Sequence, residues 1–288
     1  MTIRNPVEWG VDQMKLAGAA AGSVGRAVGE TQADLHARAP EVRRIAVADL
    51  KDVLAKGLAD FAAYRTDVAF LCVVYPVAGL ILAWLAFDYE MLPLLFPLAS
   101  GFALVGPFAA LGLYEMSRRR ERGVHVALSD AFGVVRAPAF GRIVALGLLL
   151  VAIFLMWLMT AMAIYNVTLG PAPPVSAAQF ARDVVATPGG WALIAAGMGA
   201  GFLFALTALA IGVASFPLLL DRDVALRAAI GASVWAVAAN PKPMAAWGLI
   251  VAGGLLIGSA PLLLGLIVVM PVLGHATWHL YRKVIVAT

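Results

Sequence analysis

Gly101–Gly123 reads GFALVGPFAALGLYEMSRRRERG, an apolar stretch that runs straight into Arg118, Arg119, Arg120 and Arg122. Lys and Arg collect on the cytoplasmic side of a membrane, so this junction sets the direction of one crossing and, by counting outward, that of the others. Composition agrees. Hydrophobic residues make up 62% of the 288 and charged ones 13%, about half the charge of an ordinary soluble domain. The net charge of +4 sits in arginines at the ends of apolar runs. No basic segment interleaves aromatics as a base-stacking surface does, which argues against nucleic acid as a partner.

Toward the N-terminus, Val68–Phe87 and Leu92–Tyr114 form a predicted hairpin of two spans, joined by the acidic corner Asp88-Tyr89-Glu90. Val47–Tyr64 precedes it as an amphipathic helix. Leu50, Val53, Leu54, Leu58 and Phe61 share one face, with Lys51, Asp52, Lys56 and Asp60 elsewhere, a pattern suited to the membrane surface. Residues 1–44 form a cytoplasmic tail or a further surface helix, starting at Asn5-Pro6-Val7-Glu8. Leu16–Val24 is too short and too weakly apolar for a cleavable signal.

Toward the C-terminus, Ser129–Arg136 reads as a short helix stopped at Pro138. A third span follows over Ile143–Tyr165, then a proline-rich outer connection over Asn166–Gly190, and a fourth span lies within Trp191–Leu220. Ala225–Asn240 is helical again and ends at Pro241. Met244–Leu273 is nearly unbroken apolar sequence, read as two short segments because Gly258-Ser259-Ala260-Pro261 punctuates it, and because the break returns Arg282 and Lys283 to the inner side.

The predicted fold is therefore an all-α polytopic membrane helix bundle. It has six spans in three hairpins with cytoplasmic amphipathic helices, and both termini lie inside. Residues 45–288 form the membrane domain, in repeat-like units of about 45–123, 124–222 and 223–288. Thr66, Pro138 and Pro241 stand at corresponding places, and aligning Pro107 with Pro271 sets Tyr114 against Trp278 and Arg118 against Arg282.

Candidate chemistry is sparse. His275 and His279 lie four apart on one helical face, a spacing that offers two ligands to a metal or a haem, with Glu115, Asp221 and His125 as further donors only if packing gathers them. The alternative is a polar and aromatic belt with Trp278 and Tyr281 at the interface. Arg118, Arg119, Arg120 and Arg122 suit anionic lipid head groups as well as a topology signal. Gly197, Gly201, Gly254 and Gly258 are small-xxx-small pairs for close helix packing. The lone Cys72 excludes an internal disulfide and reads as a small hydrophobe. The apolar runs carry no Asp, Glu, Lys or Arg, which disfavours ion coupling. No phosphate loop, nucleophile elbow or clustered acid–base pair supports an enzyme.

The opening stretch and the closing PLLLGLIVVMPVLGHATWHLYRKVI, residues 261–285, resemble the two most distinctive segments of a bacterial family of predicted integral membrane proteins of unknown function, over roughly Val47–Val284. The resemblance implies the bacterial inner membrane, and some members of that family are named as cytochrome c oxidase subunits. Four histidines, one of them His36 in the tail, are too few for the haem and copper ligands of a catalytic oxidase core. The expected function is non-catalytic: an accessory, assembly or stabilising subunit of a larger membrane complex, respiratory or otherwise energy-transducing, with membrane lipids and other membrane subunits as partners. A second reading is a carrier or channel for a neutral or lipid-like solute. A third is haem or metal handling through His275 and His279, although no cofactor is expected on the first two.

Overall fold

A computed structural model describes residues 40–73, 76–77, 79–81, 84, 91–124, 126, 133–134 and 137–286. Most of the predicted tail, the acidic corner at 88–90, most of the short helix at 129–136 and part of the first span fall outside them, as do His36 and His125.

The described residues form ten α-helices and no strand. The helices are α1 (Asp49–Cys72), α2 (Leu95–Ala109), α3 (Leu111–Glu121), α4 (Phe140–Thr168), α5 (Ala177–Ala186), α6 (Pro188–Gly212), α7 (Ser215–Asp221), α8 (Leu226–Ala239), α9 (Pro241–Ser259) and α10 (Leu266–Val284). Among them Phe140–Thr168, Pro188–Asp221 and Pro241–Ser259 are long and apolar enough to cross a membrane. Helix α10 turns polar at His275 after only a short apolar stretch, too short to span on its own.

Prolines explain where predicted spans break. The expected single helix Leu92–Tyr114 is a 3-10 turn at Leu92–Leu94, then α2, then α3 after a break at Ala110. Pro107 inside α2 lacks an N–H and crowds the carbonyl one turn back, which weakens the ladder just before that break. In the same way Pro217 cannot bond the carbonyl of Val213, and α6 gives way to α7 there. The Ala214 N–H freed by this break donates to Ser233 Oγ of α8 at 3.1 Å. Two caps fix the connection between α4 and α6: Ser176 Oγ accepts from Gln179 N at 3.2 Å, and Thr187 Oγ1 accepts from Gly190 N at 3.0 Å with Pro188 at the first helical position. The proline-rich connection thus contains a helix, α5, whose start is signalled by Ser176.

The predicted break before Pro261 is present. Helix α9 ends at Ser259, and the chain reverses through Leu262 and Leu263, which hold positive φ of 51° and 67°. A Cβ on Gly265 would lie 2.7 Å from the carbonyl oxygen of Gly258, so the two helices meet backbone to backbone at that corner.

The surface-helix reading of α1 is corrected. Its inward face is Leu50, Val53, Gly57 and Asp60, spaced three, four and three residues apart, while Leu58 is 54% exposed. That face lies on α10 rather than on a membrane surface. A Cβ on Gly57 would stand 2.7 Å from the Ala276 backbone nitrogen, so this crossing admits glycine alone. At its base the segment before α1 pairs with the end of α10: Val42 bridges Ile285, Arg43 N donates to Val284 O at 2.7 Å, and Val286 N donates to Glu41 O at 3.0 Å.

Candidate functional site

Two regions stand out, a charged collar at the basic end of the bundle and an apolar crevice beside it.

The collar is built around Asp60. The Gly57–Ala276 contact brings α1 so close to α10 that Asp60, one turn on, reaches both His275 and His279, while α3 presents Ser117 from the third side. Gly274 permits that approach, since a Cβ there would meet Leu113 Cδ1 of α3 at 2.6 Å. Asp60 Oδ2 accepts from Ser117 Oγ at 2.5 Å and from His279 Nε2 at 2.8 Å, and Oδ1 accepts from Arg120 at 2.5 Å. Ser117 Oγ also lies 2.7 Å from His275 Nδ1. The hydroxyl has one proton, given to the carboxylate, so Nδ1 of His275 carries the hydrogen in that contact and Nε2 bears a lone pair. That Nε2 is buried without a hydrogen-bond partner.

Burial alone would raise the Asp60 carboxyl, but hydrogen bonds from His279 and Ser117 outweigh it and hold the group below the ordinary carboxylate value. Asp60 is an anion that fixes three neighbours. A serine whose proton is held by a carboxylate is not being activated by histidine, so this trio lacks the geometry of nucleophilic catalysis.

Two further knots flank it. Asp221, at the end of α7, accepts from Tyr281 at 2.9 Å and faces Arg122 at 3.3 Å and Arg282 at 3.5 Å. Glu115 is buried against Arg118 at 2.7 Å and Arg119 at 2.8 Å, and Arg118 donates onward to Leu220 O. At the outer edge Lys283 bridges Asp49 at 2.9 Å and Asp52 at 3.2 Å. Hydrogen bonds from Lys283 to Asp49, and from Lys56 and Lys283 to Asp52, hold both carboxyls low.

The sequence-predicted residues thus fall into place unevenly. His275 and His279 do converge, but on the carboxylate of Asp60, and Glu115 and Asp221 are taken up by arginines. Among the described residues no group of three or more His, Cys, Asp or Glu side chains is placed so that it could hold a metal ion. Arg118, Arg119, Arg120 and Arg122 all turn to carboxylates of this chain. Of the packing glycines, Gly201 meets Trp157, Gly254 meets Val269 and Gly258 meets Leu266, whereas a Cβ on Gly197 would have nothing of the described residues within 4 Å. Asp60 and Asn240 are the residues the sequence hides. Asp60 stands in phase with Leu50, Val53 and Gly57, and that phase is the signal that would have found it.

The crevice has a volume of about 670 Å³ and lies between α2, α6, α8, α9 and α10. Its floor is Ala208, Met244, Trp247 and Met270, all buried, and its rim is Phe202, Leu206 and Leu249, all exposed. Nearly all the lining is apolar, in a size range typical of small-molecule sites. A smaller, polar recess of about 270 Å³ opens beside Glu115, Arg119 and Arg142.

Residues 95–221, which take in α2 to α7, match the family described as "Predicted integral membrane protein (DUF2189)". The match contains the arginine stretch and leaves the histidine segment of α10 outside. No curated protein and no solved structure shows significant similarity to the chain. With three long apolar helices among its described residues, the chain is an integral membrane protein.

Proposed function

We propose that this protein is a non-catalytic membrane protein that holds a lipid-like, uncharged or largely apolar molecule in the crevice between α6, α9 and α10. The observation that carries the reading is the crevice itself: a buried tryptophan and methionine floor, an exposed phenylalanine and leucine rim, and no charged group in the lining. A crevice whose rim faces outward between membrane helices is reached sideways from the bilayer, the route an apolar solute takes. The collar supports the reading from the other end, because its ionisable groups are spent on one another. Gentle extraction, size separation and mass analysis of what remains bound test it. One apolar molecule per chain is the expected result, and protein that retains none after mild extraction contradicts it.

The accessory-subunit reading has support from a different face. Gly197 and Gly199 of α6 have open space where a Cβ would stand, with Met198, Phe202 and Leu203 exposed around them. Small residues turned outward on a membrane helix admit a second helix closely. The same preparation separates the readings, since recovery in fixed ratio with other membrane subunits supports this one.

A further inference from the structure

On α9 the crevice lining begins at Pro241, the first residue of the helix. One residue on, Lys242 is exposed, and it stands three, seven and ten residues before Ala245, Leu249 and Ala252, all of which line the crevice. That spacing sets Lys242 beside the exposed rim that Leu249 forms, at the basic end of α9. Asn240 brings two more cations there. Its buried side chain donates to Arg43 O at 3.1 Å and accepts from Ile45 N at 2.7 Å, pinning the segment that carries Arg43 and Arg44 beside the start of α9. Arg43 and Arg44 are exposed. Among the described residues none of these three cations meets a carboxylate, in contrast to Arg118, Arg119, Arg120 and Arg122.

We infer that the crevice takes an acyl chain of an anionic phospholipid whose headgroup rests on Arg43, Arg44 and Lys242. The inference rests on the lipid-holding function proposed above and adds the headgroup. From Pro241 to Leu255 the lining of α9 runs about 21 Å at 1.5 Å per residue, which exceeds the roughly 15 Å of one leaflet. A chain rooted at the basic end can therefore lie along it with its headgroup still at the interface. Lys and Arg stems lie along apolar surface while their charged tips reach polar ground, which suits all three residues to a phosphate at the mouth. Each basic residue near an anionic surface adds to the attraction, and the gain falls with salt.

Trp247 on the floor provides the probe. Delipidated protein in detergent is titrated with phosphatidylglycerol or phosphatidylcholine carrying brominated chains, and the part of the fluorescence lost in Trp247→Phe is followed. The expected result is quenching of that part by phosphatidylglycerol at a concentration about tenfold lower than by phosphatidylcholine, a preference erased by added salt and by Arg43→Gln, Arg44→Gln and Lys242→Gln together. Equal quenching by both lipids overturns the headgroup assignment and leaves the lipid-holding function standing. Absence of Trp247-dependent quenching by either lipid overturns both. Where Trp247→Phe fails to fold, the wild type and the triple substitution are compared by mass for bound lipid. The wild type then carries predominantly anionic lipid and the variant does not, and the same anionic share in both overturns the assignment.

Discussion

The collar and the crevice use the same helix, α10, in opposite ways. On the collar side α10 presents His275, His279, Tyr281 and Arg282, and every one meets a partner within this chain. Toward the crevice it presents Met270, Leu273 and Gly274, apolar or small groups that leave space between them and α9. A buried charge that loses its partner is strongly penalised, so the collar is fixed in one arrangement. Apolar walls set no direction, so the crevice can take different apolar occupants. The difference suggests a division of labour in which the collar sets the positions of α1, α3 and α10 and the crevice is free to bind.

The largest effect expected is at the crossing. Gly57→Val places a branched side chain where a Cβ already meets backbone at 2.7 Å, so α1 must leave α10. We expect a loss of about 3 kcal/mol or more, read as failure to recover monodisperse protein or a large drop in thermal midpoint in detergent. A midpoint like that of the wild type would show that α1 does not need this contact.

Asp60→Asn keeps shape and removes charge. Arg120 and His279 lose their anion, and a loss of about 2 to 3 kcal/mol is expected in thermal or denaturant unfolding. The pH dependence has a definite sign. The Asp60 carboxyl is held below its unfolded value of about 3.9. Its contribution is therefore present above that value and disappears as pH falls through the folded one. Stability of the wild type should fall more steeply than that of Asp60→Asn on the acid side of about pH 4, and the two should run parallel near neutrality.

Gly248→Leu reverses the balance between the regions. Gly248 lines the crevice, and a Cβ there would have Leu209 Cδ2 at an ordinary 3.7 Å as its nearest neighbour. The longer side chain should fill space at a cost of about 1 kcal/mol or less in stability while removing most bound lipid, measured as lipid phosphorus per chain after extraction. Arg122→Gln should do least. Its contact to Asp221 is 3.3 Å long and its side chain is 55% exposed, so under about 1 kcal/mol is expected in the same unfolding assay, with bound lipid unchanged.

The sequence carried the helices well where one physical signal dominated. Apolar length located Phe140–Thr168, and clustered Gly and Pro located the turn between α9 and α10. It carried them less well where a proline worked several residues from its own position, as Pro107 does at the Ala110 break and Pro217 at Val213. Site residues were legible one at a time and not as a set. The spacing of His275 and His279 announced a shared face, but their common partner lies 219 residues from His279 in sequence. Asp60 looked like one more solvated charge on an amphipathic helix, because a glycine at the centre of the buried face contributes nothing to a hydrophobic stripe. The arginines read as lipid-facing for the same reason, since the carboxylates that occupy them come from α1 and α7 as well as from α3 itself. The crevice had no signature of its own, because space between apolar walls is a property of packing and not of any one segment.

The central claim is that membrane lipid enters between α6, α9 and α10 and not merely coats the bundle. A phospholipid with a photoactivatable group midway along its chain, reconstituted with the protein, irradiated and mapped by peptide mass analysis, tests it most directly. The account predicts labelling concentrated on Phe202–Leu209 and Met244–Ala252, with loss of that labelling in Gly248→Leu. Labels spread evenly over outward positions such as Leu148 and Met159 of α4, with no excess at the crevice, would contradict it.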